Sequence, residues 1–282
     1  MARCAVETCG RWCPDLLVNR GIGARVDDEW FCSRACIERM ARERLAGTPR
    51  GAAGLPAVPH VRLGALLTAQ GSCDAATLAE ALVAQRQSHR RLGEQLLAMG
   101  AADAGTVLRA LATQFNARCL PTFDATTVRQ APGGLSPDAV RALGLAPISD
   151  PVEGRVRVAC PAPVPRRALG AFRQLTGWTP EVYLVSDEDW AAILSNYGAD
   201  TGDTTPAPQS EFVRTTSLTD AAARIAAAAA RGRRTTVTEA RWDDYAWVRV
   251  QGPGLVEDVC LALADARTTT EEAPWPAATT SR

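Results

Sequence analysis

Five cysteines crowd into the first 36 residues: Cys4, Cys9, Cys13, Cys32 and Cys36, in the stretches CAVETCGRWC and EWFCSRACIERM. Thiolates at this density suit a soft cation, and four suffice for a tetrahedral zinc site. Cys32 and Cys36 stand four apart at the start of an expected helix, so both sulfurs can face one metal. On the N-terminal side two pairings are open, Cys4 with Cys9 or Cys9 with Cys13. We take Cys4, Cys9, Cys32 and Cys36 as the expected ligands of one structural Zn2+, with Cys13 spare. A closed four-sulfur site has no position for a substrate water, so its expected role is structural. The other four cysteines, Cys73, Cys119, Cys160 and Cys260, are scattered singly and read as small buried hydrophobes.

A second group repeats. RLGALLTAQG at 62–71 and RLGEQLLAMG at 91–100 agree at six of ten positions, opening on Arg-Leu-Gly and closing on Gly. The likeness extends from Arg62 to Gln85 and from Arg91 to Gln114, two 24-residue units with a five-residue spacer. A fixed internal period marks a duplicated structural unit.

The paired units resemble the N-terminal domain of the assembly ATPases of type II secretion and type IV pili, the MshEN or GspE N-terminal domain. Each begins Arg-Leu-Gly, has Gly at its tenth position and ends Leu-x-x-Gln. The resemblance runs over residues 62–198, through LSPDAVRALGLAPI, RVRVACPAP and a last helix ending in Tyr197. It implies cyclic di-GMP as ligand, a two-fold molecule with two phosphates and two guanines, and a protein partner in a secretion or motility system. On that implication Arg62 and Arg91 supply planar donor forks for a phosphate or a guanine edge. Gly64 and Gly93 let backbone approach the ligand, and Gly71 and Gly100 end the first short helix of each copy. Leu63, Leu67, Leu78, Leu82, Leu92, Leu96 and Leu111 give apolar faces for the bases. Gln85 and Gln114 serve a base edge or a backbone group. Thr68, Ser72, Cys73, Ala101, Ala102 and Val107 depart from the family's aliphatic preference, and each lost methylene removes about 0.8 kcal/mol of burial. The alternative is a repeat that is structural, or binds only protein.

At the N-terminus, Phe31-Cys32-Ser33 resembles the helix entry of treble-clef fingers of the FCS or TRASH kind, and Cys9-Gly10 resembles the end of a zinc knuckle. Arg34, Arg39, Arg42 and Arg44 of that finger are candidates for nucleic-acid contact, which we do not favour over protein contact.

The elements that must position these groups form an α+β pattern. Residues 1–45 read as a small zinc finger with the helix CIERMARERL, and 46–60 as a Gly/Pro/Ala linker. Residues 61–198 read as the MshEN-like domain, a helical front half followed by an α/β back half. In the front half, Asp74 and Asp103 sit at N-cap positions ahead of AATLAEALVAQRQ and AGTVLRALATQF. Residues 199–212 read as a second linker, 213–266 as a small α+β module, and 267–282 as a disordered tail. The module holds an Ala-rich helix ending at Gly232 and a hairpin turning near Asp243–Asp244. Its Trp242, Tyr245 and Trp247 read as core facing a helix.

Composition narrows the function classes. Of 282 residues, 31 are basic and 31 acidic, so the whole chain has no net field for nucleic acid. Every basic residue is Arg, and a chain without Lys has no Walker A lysine. The two histidines, His60 and His89, fall in a linker and in the spacer, so a His-based triad is not expected. No apolar run reaches membrane-span length and no apolar signal core opens the chain. The expectation is a cytoplasmic, non-enzymatic regulatory or adaptor protein without membrane insertion. The alternative is a protein-interaction scaffold, its finger binding protein or DNA, whose MshEN-like domain has lost nucleotide binding.

Overall fold

The computed structural model describes residues 1–47, 61–120, 124, 128, 135–197, 211–242 and 245–263. The expected linkers 46–60 and 199–212 lie largely outside these residues, and the tail 267–282 lies wholly outside them.

The chain opens with β1 (Ala2–Arg3), β2 (Trp12–Cys13), α1 (Asp15–Asn19), the ribbon β3 (Ala24–Val26) and β4 (Glu29–Phe31), and α2 (Arg34–Gly47). Four helices follow: α3 (Leu63–Ala69), α4 (Ala75–Ser88), α5 (Leu92–Ala98) and α6 (Ala104–Phe115). The α/β half is β5 (Arg118–Cys119), α7 (Pro137–Leu143), β6 (Ala146–Pro147), β7 (Arg155–Cys160), α8 (Arg166–Thr176), β8 (Thr179–Leu184) and α9 (Asp187–Asn196). The last segment is β9 (Glu211–Thr215), α10 (Leu218–Gly232), β10 (Arg234–Trp242), β11 (Tyr245–Gly252) and β12 (Leu255–Ala262).

The four repeat helices are built twice by the same local chemistry. Asp74 caps α4, accepting from the Thr77 amide at 2.7 Å and its hydroxyl at 3.0 Å. Asp103 caps α6 through Thr106 at 2.8 and 2.6 Å. Gly71 and Gly100, at φ +68° and +67°, follow α3 and α5 and turn the chain where a side chain would be strained. Helix α3 packs on α6 and α5 packs on α4. Exchanging the copies exchanges those two contacts, so the repeat has the pairing of a pseudo-two-fold. Its core is Leu67, Leu96, Ala81, Ala110 and Cys73, with Ala101 and Ala102 packed against it.

The back half carries a four-stranded sheet in the order β5-β8-β7-β6, with β5, β8 and β7 parallel and β6 antiparallel at the edge.

The terminal segments are joined. One six-stranded sheet runs β4-β3-β10-β11-β12-β9, so the ribbon of residues 24–31 extends a sheet made by residues 211–262. The junction is a parallel pairing of Arg25 with Arg234 and of Val26 with Thr235. Helix α2 lies along α10, and Val26, Phe31, Ile37, Ala222, Ile225 and Val250 share one core. The segments 1–45 and 213–266, distinct units by sequence, therefore share a sheet and a core. The sheet's other face packs on the α/β half, with Tyr245, Trp247 and Cys260 in the same core as Phe172, Leu184 and Ile193. Trp247 is fully buried and packs against Phe212 at 5.0 Å.

At the centre of that sheet Arg249 and Asp258 face each other across β11 and β12, both at 0% exposure. The guanidinium donates twice to the carboxylate, 2.8 Å each, and Trp247 Nε1 donates to Oδ1 at 2.9 Å. Among the described residues Arg249 Nη1 and the buried Tyr197 hydroxyl have no hydrogen-bond partner. Burial raises the Tyr197 pKa, an effect the nearby Arg249 charge partly offsets.

Candidate functional site

Two places concentrate chemistry. At the N-terminus the sulfurs of Cys4, Cys9, Cys32 and Cys36 all lie within 4.8 Å of one another. Cys4 follows β1, and the turn to β2 presents Cys9 just before Gly10, whose φ is +63°. Cys32 directly follows β4, and Cys36 sits in the first turn of α2 with its amide bonded to the Ser33 carbonyl. Two strand ends and one helix start thus converge on one point. Cys13 is buried in the terminal core, outside this group.

The donor set fits zinc. Tetrahedral Zn–S bonds of about 2.3 Å put sulfurs about 3.8 Å apart. Cys9 Sγ is 3.5 Å from Cys32 Sγ, and Cys32 Sγ is 3.6 Å from Cys36 Sγ. A backbone hydrogen bond with Arg11, with Cys32 adding to it, lowers the Cys9 thiol to about 7. Burial pushes Cys32 up to about 12 and raises Cys36. Thiols this close do not all ionise unless a cation sits among them, and a divalent ion supplies that charge.

The four arginines of the finger are engaged within the chain. Arg34 donates to the Ala223 carbonyl of α10 at 3.2 Å, Arg39 to Thr8, Arg42 to Glu38, and Arg44 to Asp27 at 2.6 Å. Arg34, Arg39 and Arg44 tie α2 to its neighbours, and Arg42 pairs along α2 itself.

The second place is the repeat. A cavity of about 390 Å3 opens beside the second copy. Arg91, Leu92, Gly93 and Leu111 of that copy line it, with Leu63 reaching across from the first. Leu108 and Phe115 of α6 add apolar wall, and Ala162, Pro163, Val185, Ser186 and Asp187 close it from the α/β half. Polar side chains among the described lining are few: the Arg91 guanidinium, which donates to the Ala162 carbonyl at 3.2 Å, the carboxylates of Glu94 and Asp187, and the Ser186 hydroxyl. Glu94 also accepts the Arg91 amide at 3.1 Å.

Other residues expected at a ligand lie elsewhere. Leu67 and Leu96 are fully buried in the repeat core. Leu78 fills the space over Gly64, where a Cβ would meet its two methyls at 3.0 Å; Val107 does the same over Gly93 at 2.9 Å. These glycines let the helices of each copy cross closely, and Gly93 also lines the cavity. Gln85 donates to the Arg90 carbonyl at 2.9 Å and closes the spacer. Gln114 is half-buried, Leu82 exposed, and Arg62 exposed ahead of α3. Cys73, Ala101 and Ala102 belong to the repeat core, so their small size does not thin the cavity wall.

Sequence reasoning omitted Leu108 and Phe115, although 104, 107, 108, 111 and 115 form a helical stripe that marks one face. Residues 162–163 and 185–187 carry no local signal, because tertiary packing alone brings them over α6.

A scan against protein-family descriptions finds no match, and a search of curated proteins finds none. Among solved structures the chain is similar to one described as MshE with cdg, at 26% identity and TM-score 0.41, covering 49% of this chain and 99% of that one. It is also similar to the N-terminal domain of XpsE, at 18% identity and TM-score 0.35, covering 48% and 93%. Each of these two likenesses covers about half of this chain.

Proposed function

We propose that this chain is a cytoplasmic, non-enzymatic regulatory or adaptor protein that responds to cyclic di-GMP through its repeat and acts on a type II secretion or type IV pilus-like system. The observation that carries this is the cavity of about 390 Å3 walled by members of both copies. Its apolar walls suit a purine ring. Arg91 suits a phosphate or the guanine O6/N7 edge, and Asp187 suits the guanine N2 donors. The Cys4, Cys9, Cys32, Cys36 centre holds structural zinc and fixes the shared sheet on which the α/β half rests.

A titration of zinc-loaded full-length chain with cyclic di-GMP, with GMP as competitor, tests this. Saturable binding that excess GMP displaces only weakly is expected. An absence of heat at high micromolar cyclic di-GMP overturns it.

One observation favours a second reading, a protein-binding repeat. On the first copy Leu82 is 42% and Val83 58% exposed. A helix face of that kind serves a partner helix.

A further inference from the structure

Where β3 meets β10, a cleft of about 180 Å3 is lined by Arg25, Arg233 and Arg234 and, among the described residues, by no acidic one. Residues from both ends of the chain build it, which is why no local motif marks it. Arg25 and Arg234 are direct partners in the parallel pairing of β3 with β10, so their side chains share one face. Like charges placed opposite each other on a sheet repel. Among the described residues none of the three makes an ion pair; Arg25 Nη1 donates to the Asp28 carbonyl at 3.1 Å.

The third guanidinium is set in place by glycine packing. A Cβ on Gly232 would sit 2.3 Å from Thr235 Cγ2, so glycine stands there at the end of α10 and Arg233 makes the turn at φ +56°. The turn lays the Arg233 guanidinium against Gly21, where a Cβ would be 3.1 Å from Nη1 and 3.2 Å from Cζ. Trp30, nearly buried and donating to the Ile22 carbonyl at 2.9 Å, walls the cleft.

We infer that this cleft binds a small phosphate-class oxyanion, with Arg25, Arg233 and Arg234 as its donors. Three forks around one space match a tetrahedral dianion, and neutralising it removes their mutual repulsion. The cleft's volume suits a single phosphate group and not a polymer laid across a surface. The site is separate from the repeat cavity.

The probe is inorganic phosphate added to zinc-loaded full-length chain at fixed ionic strength, read by thermal unfolding and by calorimetry. A saturable upward shift is expected with phosphate and not with chloride. Arg233→Gln and Arg234→Gln, both at exposed positions, should each weaken phosphate at least tenfold with an unchanged circular dichroism spectrum. Arg91→Ala should leave the response intact. Equal responses to phosphate and chloride overturn the inference, as does an undiminished response in the Arg233→Gln/Arg234→Gln double variant. Tight binding of a short oligonucleotide with no response to inorganic phosphate overturns it as well.

Discussion

Gly93→Ala separates two explanations for the glycine of Arg-Leu-Gly. Alanine in a helix is ordinarily favoured over glycine by about 0.5–1 kcal/mol. Here the new Cβ would lie 2.9 Å from Val107 Cγ1 and 3.7 Å from Leu63 Cδ2. Val107 is buried and β-branched, so it cannot swing away at low cost. Overpacking of this kind costs about 1–3 kcal/mol, which outweighs the propensity gain and leaves a net loss of about 1 kcal/mol. Gly64→Ala meets the longer Leu78 at 3.0 Å, and a rotamer change there should hold its net effect near zero. The assay is urea unfolding of Gly93→Ala, Val107→Ala and the double variant. Val107→Ala alone loses about 1.6 kcal/mol of burial but opens the space the new methyl needs. The cycle should show a favourable coupling of about 1 kcal/mol or more. Additivity within about 0.3 kcal/mol would refute the packing role and return Gly93 to the ligand.

Other expectations follow from the buried and capped groups. Asp258→Ala strands a fully buried guanidinium and should cost about 3–5 kcal/mol in denaturant unfolding, whereas Arg249→Met with Asp258→Leu should recover most of that. Tyr197→Phe removes a buried hydroxyl that has no partner among the described residues, and should change stability by less than about 0.5 kcal/mol or increase it. Cys9→Ser should lose bound zinc in metal analysis and loosen the six-stranded sheet, while Cys13→Ala should retain one zinc per chain. The Asp74 carboxyl is held below its usual value by the Thr77 amide and then its hydroxyl, and Asp103 by the Thr106 hydroxyl and then its amide. A depressed pKa contributes stability above the unfolded carboxylate value and loses it as pH falls through the folded one. The repeat helices should therefore weaken below about pH 4. The Asp74→Asn/Asp103→Asn variant should show a flatter acid limb.

What could be read from the sequence was what local chemistry fixes. The caps at Asp74 and Asp103 bond three residues ahead, and the glycines after α3 and α5 act within one turn, so both copies of the repeat were visible. The clustering of cysteines was visible for the same reason. The shared sheet was not, because β3 pairs with β10 across more than 200 residues and neither strand records its partner. The strand VEDVCLA carries no clean alternation, because Glu257 and Asp258 interrupt it. Both acids are buried there, Asp258 against Arg249 and Glu257 against Arg231. At Gly64 and Gly93 a need for close approach was legible, while the packing groups Leu78 and Val107 were not. The cavity walls at 162–163 and 185–187 depend on how the α/β half seats against α6, which no periodicity encodes.

The most direct measurement is calorimetric titration of cyclic di-GMP into zinc-loaded wild-type chain and into Arg91→Ala and Arg62→Ala. If the cavity beside the second copy holds the nucleotide, wild type binds saturably. Arg91→Ala then weakens binding at least tenfold, about 1.4 kcal/mol, and Arg62→Ala weakens it less. Wild-type affinity in Arg91→Ala, or no binding by wild type, would contradict it.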